Sequence, residues 1–297
     1  MIKNKITSKV LLLFICFLII LITIEKKELK IKEETLYVNS NLNTYDIYLL
    51  DKENYLAKTS VDYKEIEIVD VAKKLIESMK NPPNGFRPII SENTKLTNIS
   101  YNDNIIKMNF NDSLFDISEN KVIESLVFTL TSLNNVDGIL IFINDKLITT
   151  VNNVVLEQPL TKKIGINKIY NINNLDNIAT IIVYYLGKYN DQTYYVPVTK
   201  YINDTRDKIS IIIDELNNTN SYTTNLMSFM KDDVRLISST LEDKNLTLNF
   251  NEAILEEENY ILEEVINTII YSINDNFDIK SVIFSIENKE ILKKHLK

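Results

Sequence analysis

The sequence predicts an α+β protein: an N-terminal transmembrane helix, then two copies of a small domain with helices packed on a mainly antiparallel sheet. Three observations lead there. A basic tip precedes an unbroken apolar run, the remainder repeats itself at a fixed offset, and each repeat alternates between the apolar periods of a strand and of a helix. With 297 residues, 45% hydrophobic and 25% charged, the composition is globular and the length suits about two domains.

Lys3, Lys5 and Lys9 lead into apolar sequence over residues 10–24. Fifteen helical residues span about 22 Å, short of the roughly 30 Å hydrocarbon core, so a short uncleaved anchor with snorkelling lysines is expected. The lysines place residues 1–9 in the cytoplasm and the bulk of the chain outside the cell membrane, as a single-pass protein. Cys16, the only cysteine, sits inside the apolar run after Ile15 rather than after a small residue. It reads as a membrane-helix hydrophobe, not as a lipidation site. Residues 25–43 form a charged stem.

The repeat is the strongest signal. Residues 106–114, containing Met108, Asn109, Phe110 and Asn111, align at an offset of 140 with residues 246–254, containing Leu248, Asn249, Phe250 and Asn251. Val122, Leu126, Leu130 and Leu133 align with Leu262, Ile266, Ile270 and Ile273 at the same offset, each set drawing one helical stripe. A three-residue insertion then brings residues 139–146 onto 282–289. The expected domains are residues 44–152 and 179–297, joined by a linker at 153–178.

Within copy one, residues 45–50 and 55–61 read as strands, and residues 68–79 as a helix with Ile68, Val71, Ala72, Leu75, Ile76 and Met79 on one face. Pro82 and Pro83 end it, because proline cannot continue the hydrogen-bond ladder. Residues 96–101 and 105–110 flank Asn102-Asp103-Asn104, a hairpin signal. Ser118 caps a helix at 119–133, and a strand at 139–143 closes the copy. Copy two follows with strands at 180–186 and 194–198 and helices near 206–216 and 257–273.

Candidate chemistry is sparse. His295, the only histidine, lies two residues from the end, which removes imidazole-based nucleophilic mechanisms from serious consideration. Ser118 and Lys121 fit a Ser-x-x-Lys pattern, but copy two has Glu258 and Ile261 there, so a helix cap is the better reading. Asp112 with Asp116, and Glu252 with Glu256, follow strands in polar sequence and read as solvated rather than as an acid–base pair or metal site. Tyr184, Tyr185, Tyr189, Tyr194 and Tyr195 form the one candidate ligand surface. No glycine loop for phosphate is present among only 4 glycines. No catalytic, cofactor-binding or metal residue is assigned, no cofactor is expected, and the chain reads as a non-enzyme. Outside its first 24 residues the chain has 30 of its 33 basic groups against 41 acidic ones, which disfavours nucleic acid as a partner.

Three stretches carry a family resemblance. Residues 195–202, Y-V-P-V-T-K-Y-I, look like the "VPVTRYI" segment of the GerMN domain. Residues 85–96 with 106–110 resemble its "G…P-x-G-T-x-L…V-x-V-D-F" hairpin, and residues 160–167, L-T-K-K-I-G-I-N, are similar to its "LTREDxGIN" tail. Copy one departs from the pattern with L-A-K-T-S-V at 56–61. The resemblance implies tandem GerMN domains in a non-catalytic scaffold of the bacterial envelope, acting in sporulation or spore germination. Its partners would be other envelope or sporulation proteins, with a homo-oligomer or ring as the expected assembly and the N-terminal helix holding it to the membrane. The alternative is a surface module binding peptidoglycan or a small ligand.

Overall fold

A computed structural model describes residues 42–189, 192–217, 226–257 and 260–296. Copy one begins with the hairpin β1 (Asn43–Leu50) and β2 (Leu56–Tyr63), followed by α1 (Ile68–Lys80). The hairpin β3 (Leu96–Asn102) and β4 (Ile105–Phe110), the helix α2 (Glu119–Leu130), and β5 (Gly138–Ile143) with β6 (Lys146–Leu147) complete it. A ribbon of β7 (Thr150–Val151) and β8 (Val154–Val155) and the short β9 (Ile169–Asn171) lead to copy two. There β10 (Ile178–Tyr189), β11 (Gln192–Asn203) and α3 (Lys208–Asn217) precede β12 (Leu236–Glu242), β13 (Asn245–Phe250), α4 (Glu263–Asn276), β14 (Ser281–Ile286) and β15 (Lys289–His295).

The local rules act as read. α1 buries Val71, Ala72, Leu75, Ile76 and Met79, and stops before Pro82. Ser118 accepts the Lys121 backbone N–H at 3.4 Å as the cap of α2. Asp103 and Asn104, and Asp243 and Lys244, have positive φ at both central turn positions, the conformation that matches the twist of a two-residue hairpin.

The fold class needs correction. Among the described residues no helix is long and apolar enough to cross a membrane. The expected helix at residues 10–24 lies outside the described residues, and its fifteen positions, Thr23 among them, fall short of the about 20 a spanning helix needs. Over the described residues the class is therefore α+β with tandem repeats, and no helix there is long and apolar enough to cross a membrane. The sheets are also mixed. β4 pairs parallel with β5 and β13 parallel with β14, because α2 and α4 are crossovers that return the chain to the same end of the sheet.

Each copy contributes a four-stranded sheet, ordered β3-β4-β5-β6 and β12-β13-β14-β15. The opening hairpins behave differently: they join across the copies into one sheet, ordered β1-β2-β11-β10, with β9 parallel to β11. α2 packs between β1 and β5, which is why nine consecutive residues, Val122 to Leu130, are buried on all its faces.

The register of the repeat differs from the sequence alignment. Thr129 Oγ1 accepts the Tyr48 N–H at 3.0 Å, and Ser272 Oγ accepts the Tyr184 N–H at 2.9 Å. These paired roles put α2 and α4 at an offset of 143, so the three-residue insertion precedes α4 instead of following it. Val122, Leu126 and Leu130 thus correspond to Val265, Ile269 and Ile273, all buried. Two adjacent apolar stripes in α4 fit the helical period, and spacing alone cannot separate them. The helix also starts at Glu263 rather than 257, with Leu262 at the cap position.

Candidate functional site: the junction of the repeats

The residues weighed for chemistry are not brought together. Ser118 is a cap, Asp112 and Asp116 are both exposed, and Glu256 pairs with Lys231 at 3.0 Å. His295 is exposed on β15. Among the described residues no group of His, Cys, Asp and Glu side chains is placed to hold a metal ion; Cys16 lies outside them. The tyrosines of copy two face inward: Tyr184, Tyr185 and Tyr194 are buried, and Tyr189 lies against Gly85. Tyr184, Tyr189 and Tyr194 meet copy one and build the junction, while Tyr185 packs on Lys200 within copy two, which leaves little aromatic surface for a ligand.

That junction holds an extended polar network among the described residues. Its centre is the buried pair Tyr48 and Tyr184, whose hydroxyls are 2.8 Å apart. Tyr184 donates to Asp275 Oδ2 at 2.5 Å, while Lys162 Nζ binds Asp275 Oδ1 at 2.5 Å. Because Tyr184 spends its proton on the carboxylate, Tyr48 must donate to Tyr184, and the chain of bonds runs from copy one into copy two. Burial pushes both phenols well above their usual range. Tyr48 sits edge-on to Phe128, and Tyr184 and Tyr195 pack on Tyr271.

Asn167 forms a second hub. Its Nδ2 donates to Leu56 O at 2.8 Å in copy one and to Pro197 O at 2.7 Å in copy two. Its Oδ1 accepts from Leu56 N at 3.0 Å and from Lys121 Nζ at 2.7 Å. The Asn167 N–H reaches Glu124 Oε2 at 3.1 Å, and Glu124 also pairs with Lys168 at 3.1 Å. Burial holds the Lys121 ammonium below its ordinary range. Asn167 has φ +46, a conformation that asparagine tolerates better than most residues, and Gly165 has φ +75. A Cβ on Gly165 would also press on Thr199 at 3.2 Å, and Thr199 Oγ1 accepts the Ile166 N–H at 2.8 Å.

At the third contact, Asp51 Oδ1 caps its own turn through Glu53 N and Tyr55 N at 2.9 and 2.8 Å. Its Oδ2 accepts the Tyr194 hydroxyl from copy two at 3.0 Å. Burial raises the Asp51 carboxyl above its ordinary value. The Tyr194 ring lies over Gly187, where a Cβ would stand 2.3 Å from Cε2.

Sequence reading missed Tyr48, Lys162, Asn167 and Asp275. The available signal was the tail at 160–167: its Lys162 reaches copy two and its Asn167 touches both copies, so the segment staples the repeats.

Two α+β repeats that share one sheet, and are stapled by the segment between them, define a tandem-repeat class. The chain belongs to the family described as "Germane: Sporulation and spore germination", which matches residues 46–149 and 182–292. It is similar to "Spore germination protein GerM" of Bacillus subtilis (strain 168), with 29% identity over 266 residues, 83% of this chain and 72% of that protein. The solved tandem GerMN domains of the sporulation protein GerM from Bacillus subtilis match with a TM-score of 0.75 at 28% identity, covering 84% of this chain and 93% of that one. These relationships establish the tandem GerMN fold and support a sporulation-related role.

Proposed function

We propose that the protein is a non-catalytic assembly scaffold of the bacterial envelope, acting outside the cytoplasm in sporulation or spore germination through protein–protein contacts. The family relationship supports the process. The observation that carries the mode of action is the use of sheet edges. β11 meets β2 at Tyr195 and Lys58 and is covered by β9 at residues 200–202, whereas β12, among the described residues, pairs only with β13. β12 also exposes Ile237 (58%) and Leu241 (52%). An open strand edge carrying apolar side chains is a template for another strand, either of a second copy or of another envelope protein.

The test is crosslinking and size measurement of the full chain, alone and in membranes from sporulating cells. Oligomers or crosslinked partners that disappear in an Ile237→Lys, Leu241→Lys double variant are expected. Monomers alone in both settings would defeat the scaffold reading.

A further inference from the structure

A groove of about 560 Å³ lies beside the junction, between α2, the β7–β8 ribbon and the stapling segment. Its size falls in the ~300–1,000 Å³ range of ligand sites. Three properties restrict its occupant. The first is charge: Lys121, Lys163 and Lys168 face Glu124 and Glu157, and Glu124 is already held by Lys168 and by the Asn167 N–H. Lys121 and Lys163 have no carboxylate within 4.0 Å among the described residues. The Lys121 ammonium spends one of its three protons on Asn167 Oδ1, so a half-buried cation keeps donors for an anion at the groove.

The second property is the aliphatic wall of Ile123, Val151, Leu156 and Ile164, with Val154 and Val155 exposed on the rim at 62% and 78%. The third is the backbone. Among the described residues β8 pairs only with β7, so its outer edge is free for an extended chain. Asn120, Asn152 and Thr161 add amide and hydroxyl groups to the lining, which suit peptide bonds better than an acyl chain.

We propose that this groove binds the free carboxyl end of an extended aliphatic peptide. The carboxylate lies on Lys121 and Lys163, the terminal side chain on the aliphatic wall, and the peptide backbone along β8. The site uses neither β12 nor its neighbours, so it stands or falls separately from edge pairing.

The probe is the peptide Gly-Ala-Val-Leu with an amino-terminal fluorophore and a free carboxylate, titrated with the full chain and read by fluorescence anisotropy. The unlabelled acid is expected to compete about ten-fold better than its carboxamide. Lys121→Met is expected to weaken binding about ten-fold, and Val155→Glu, at an exposed rim position, by a similar factor at an unchanged unfolding midpoint. Should Lys121→Met fail to fold, Lys163→Gln at an exposed position carries the same test. Equal competition by acid and amide, variants that bind as the parent does, or no anisotropy change up to about 1 mM chain would each overturn the proposal. Displacement by dodecanoate but by no peptide would overturn the peptide assignment in favour of a lipid carboxylate.

Discussion

Replacing Asn167 tests whether the segment between the repeats holds them together. Its side chain makes four hydrogen bonds, to Leu56 N, Leu56 O, Pro197 O and Lys121 Nζ, in a buried position. Asn167→Ala removes all four and puts a Cβ-bearing residue without a polar side chain at φ +46. A buried backbone group left unpaired costs about 1–3 kcal/mol, and water can replace some of the partners. The left-handed backbone adds about 1–2 kcal/mol for alanine. The expected total is about 3–5 kcal/mol, a large share of the ~5–15 kcal/mol that holds a typical domain. Asn167→Gly keeps the backbone relaxed and is expected to cost about 1 kcal/mol less than alanine. Urea unfolding followed by far-ultraviolet dichroism and by tyrosine fluorescence measures both variants; the chain has 16 tyrosines and no tryptophan. A loss below about 1 kcal/mol for alanine would refute the staple. Equal losses for alanine and glycine would refute the backbone part of the argument.

The remaining predictions concern the other two contacts. Tyr184→Phe is expected to cost about 1.5–3 kcal/mol, because it strips a donor from the buried Asp275 carboxylate, and Tyr48→Phe only about 0.5–1.5 kcal/mol. Equal costs in urea unfolding would contradict the direction of the bonds. Gly187→Ala is expected to cost about 1–3 kcal/mol, since the Tyr194 ring is pinned by Asp51 and Phe86. Combining it with Tyr194→Ala should cost less than the sum of the two single changes, and strict additivity would count against the clash. Burial pushes Tyr185 and Tyr195 up to about 12, so the folded state favours their protonated forms. Their contribution is complete below the unfolded value near 10 and is lost as pH rises towards 12. An ultraviolet titration should show exposed tyrosines ionising first and these two later, together with unfolding; simultaneous ionisation of all tyrosines would refute it.

Much of each copy was legible in the sequence because its signals are local. Proline placement, the hairpin turns and the stripe of α1 each rest on residues a few positions apart. The junction was not legible, since it rests on partners 30 to 143 positions apart whose types are ambiguous by themselves: Asn167 and Pro197, Asp51 and Tyr194. Strand tyrosines look alike whether they face a ligand or another strand, and Tyr184 and Tyr194 were resolved only by the pairing of β2 with β11 at Lys58 and Tyr195. The offset of α4 failed for a related reason: Ile266, Ile269, Ile270 and Ile273 satisfy two registers at once, and only the hydrogen bond from Tyr184 to Ser272 selects one.

The same pairing bears on where a partner can attach. In the tandem chain β2 and β11 meet at Lys58 and Tyr195 and β9 lies on β11 at residues 200–202, so β1 and β10 end the shared sheet while β3 and β12 each end an outer one. The two outer sheets are no longer equivalent. At an offset of 140, Ile237 and Leu241 on β12 correspond to Thr97 and Tyr101 on β3. Thr97 Oγ1 donates to Asn109 O at 2.9 Å and Tyr101 to Asn135 O at 2.7 Å, so both side chains of β3 are tied back to their own copy. Ile237 and Leu241 have no polar atom with which to do the same, and they remain exposed. Edge association is therefore expected to be one-sided. Thr97→Lys should leave any assembly intact, whereas Leu241→Lys should abolish it, and crosslinking yields that fall equally in both variants would refute the asymmetry.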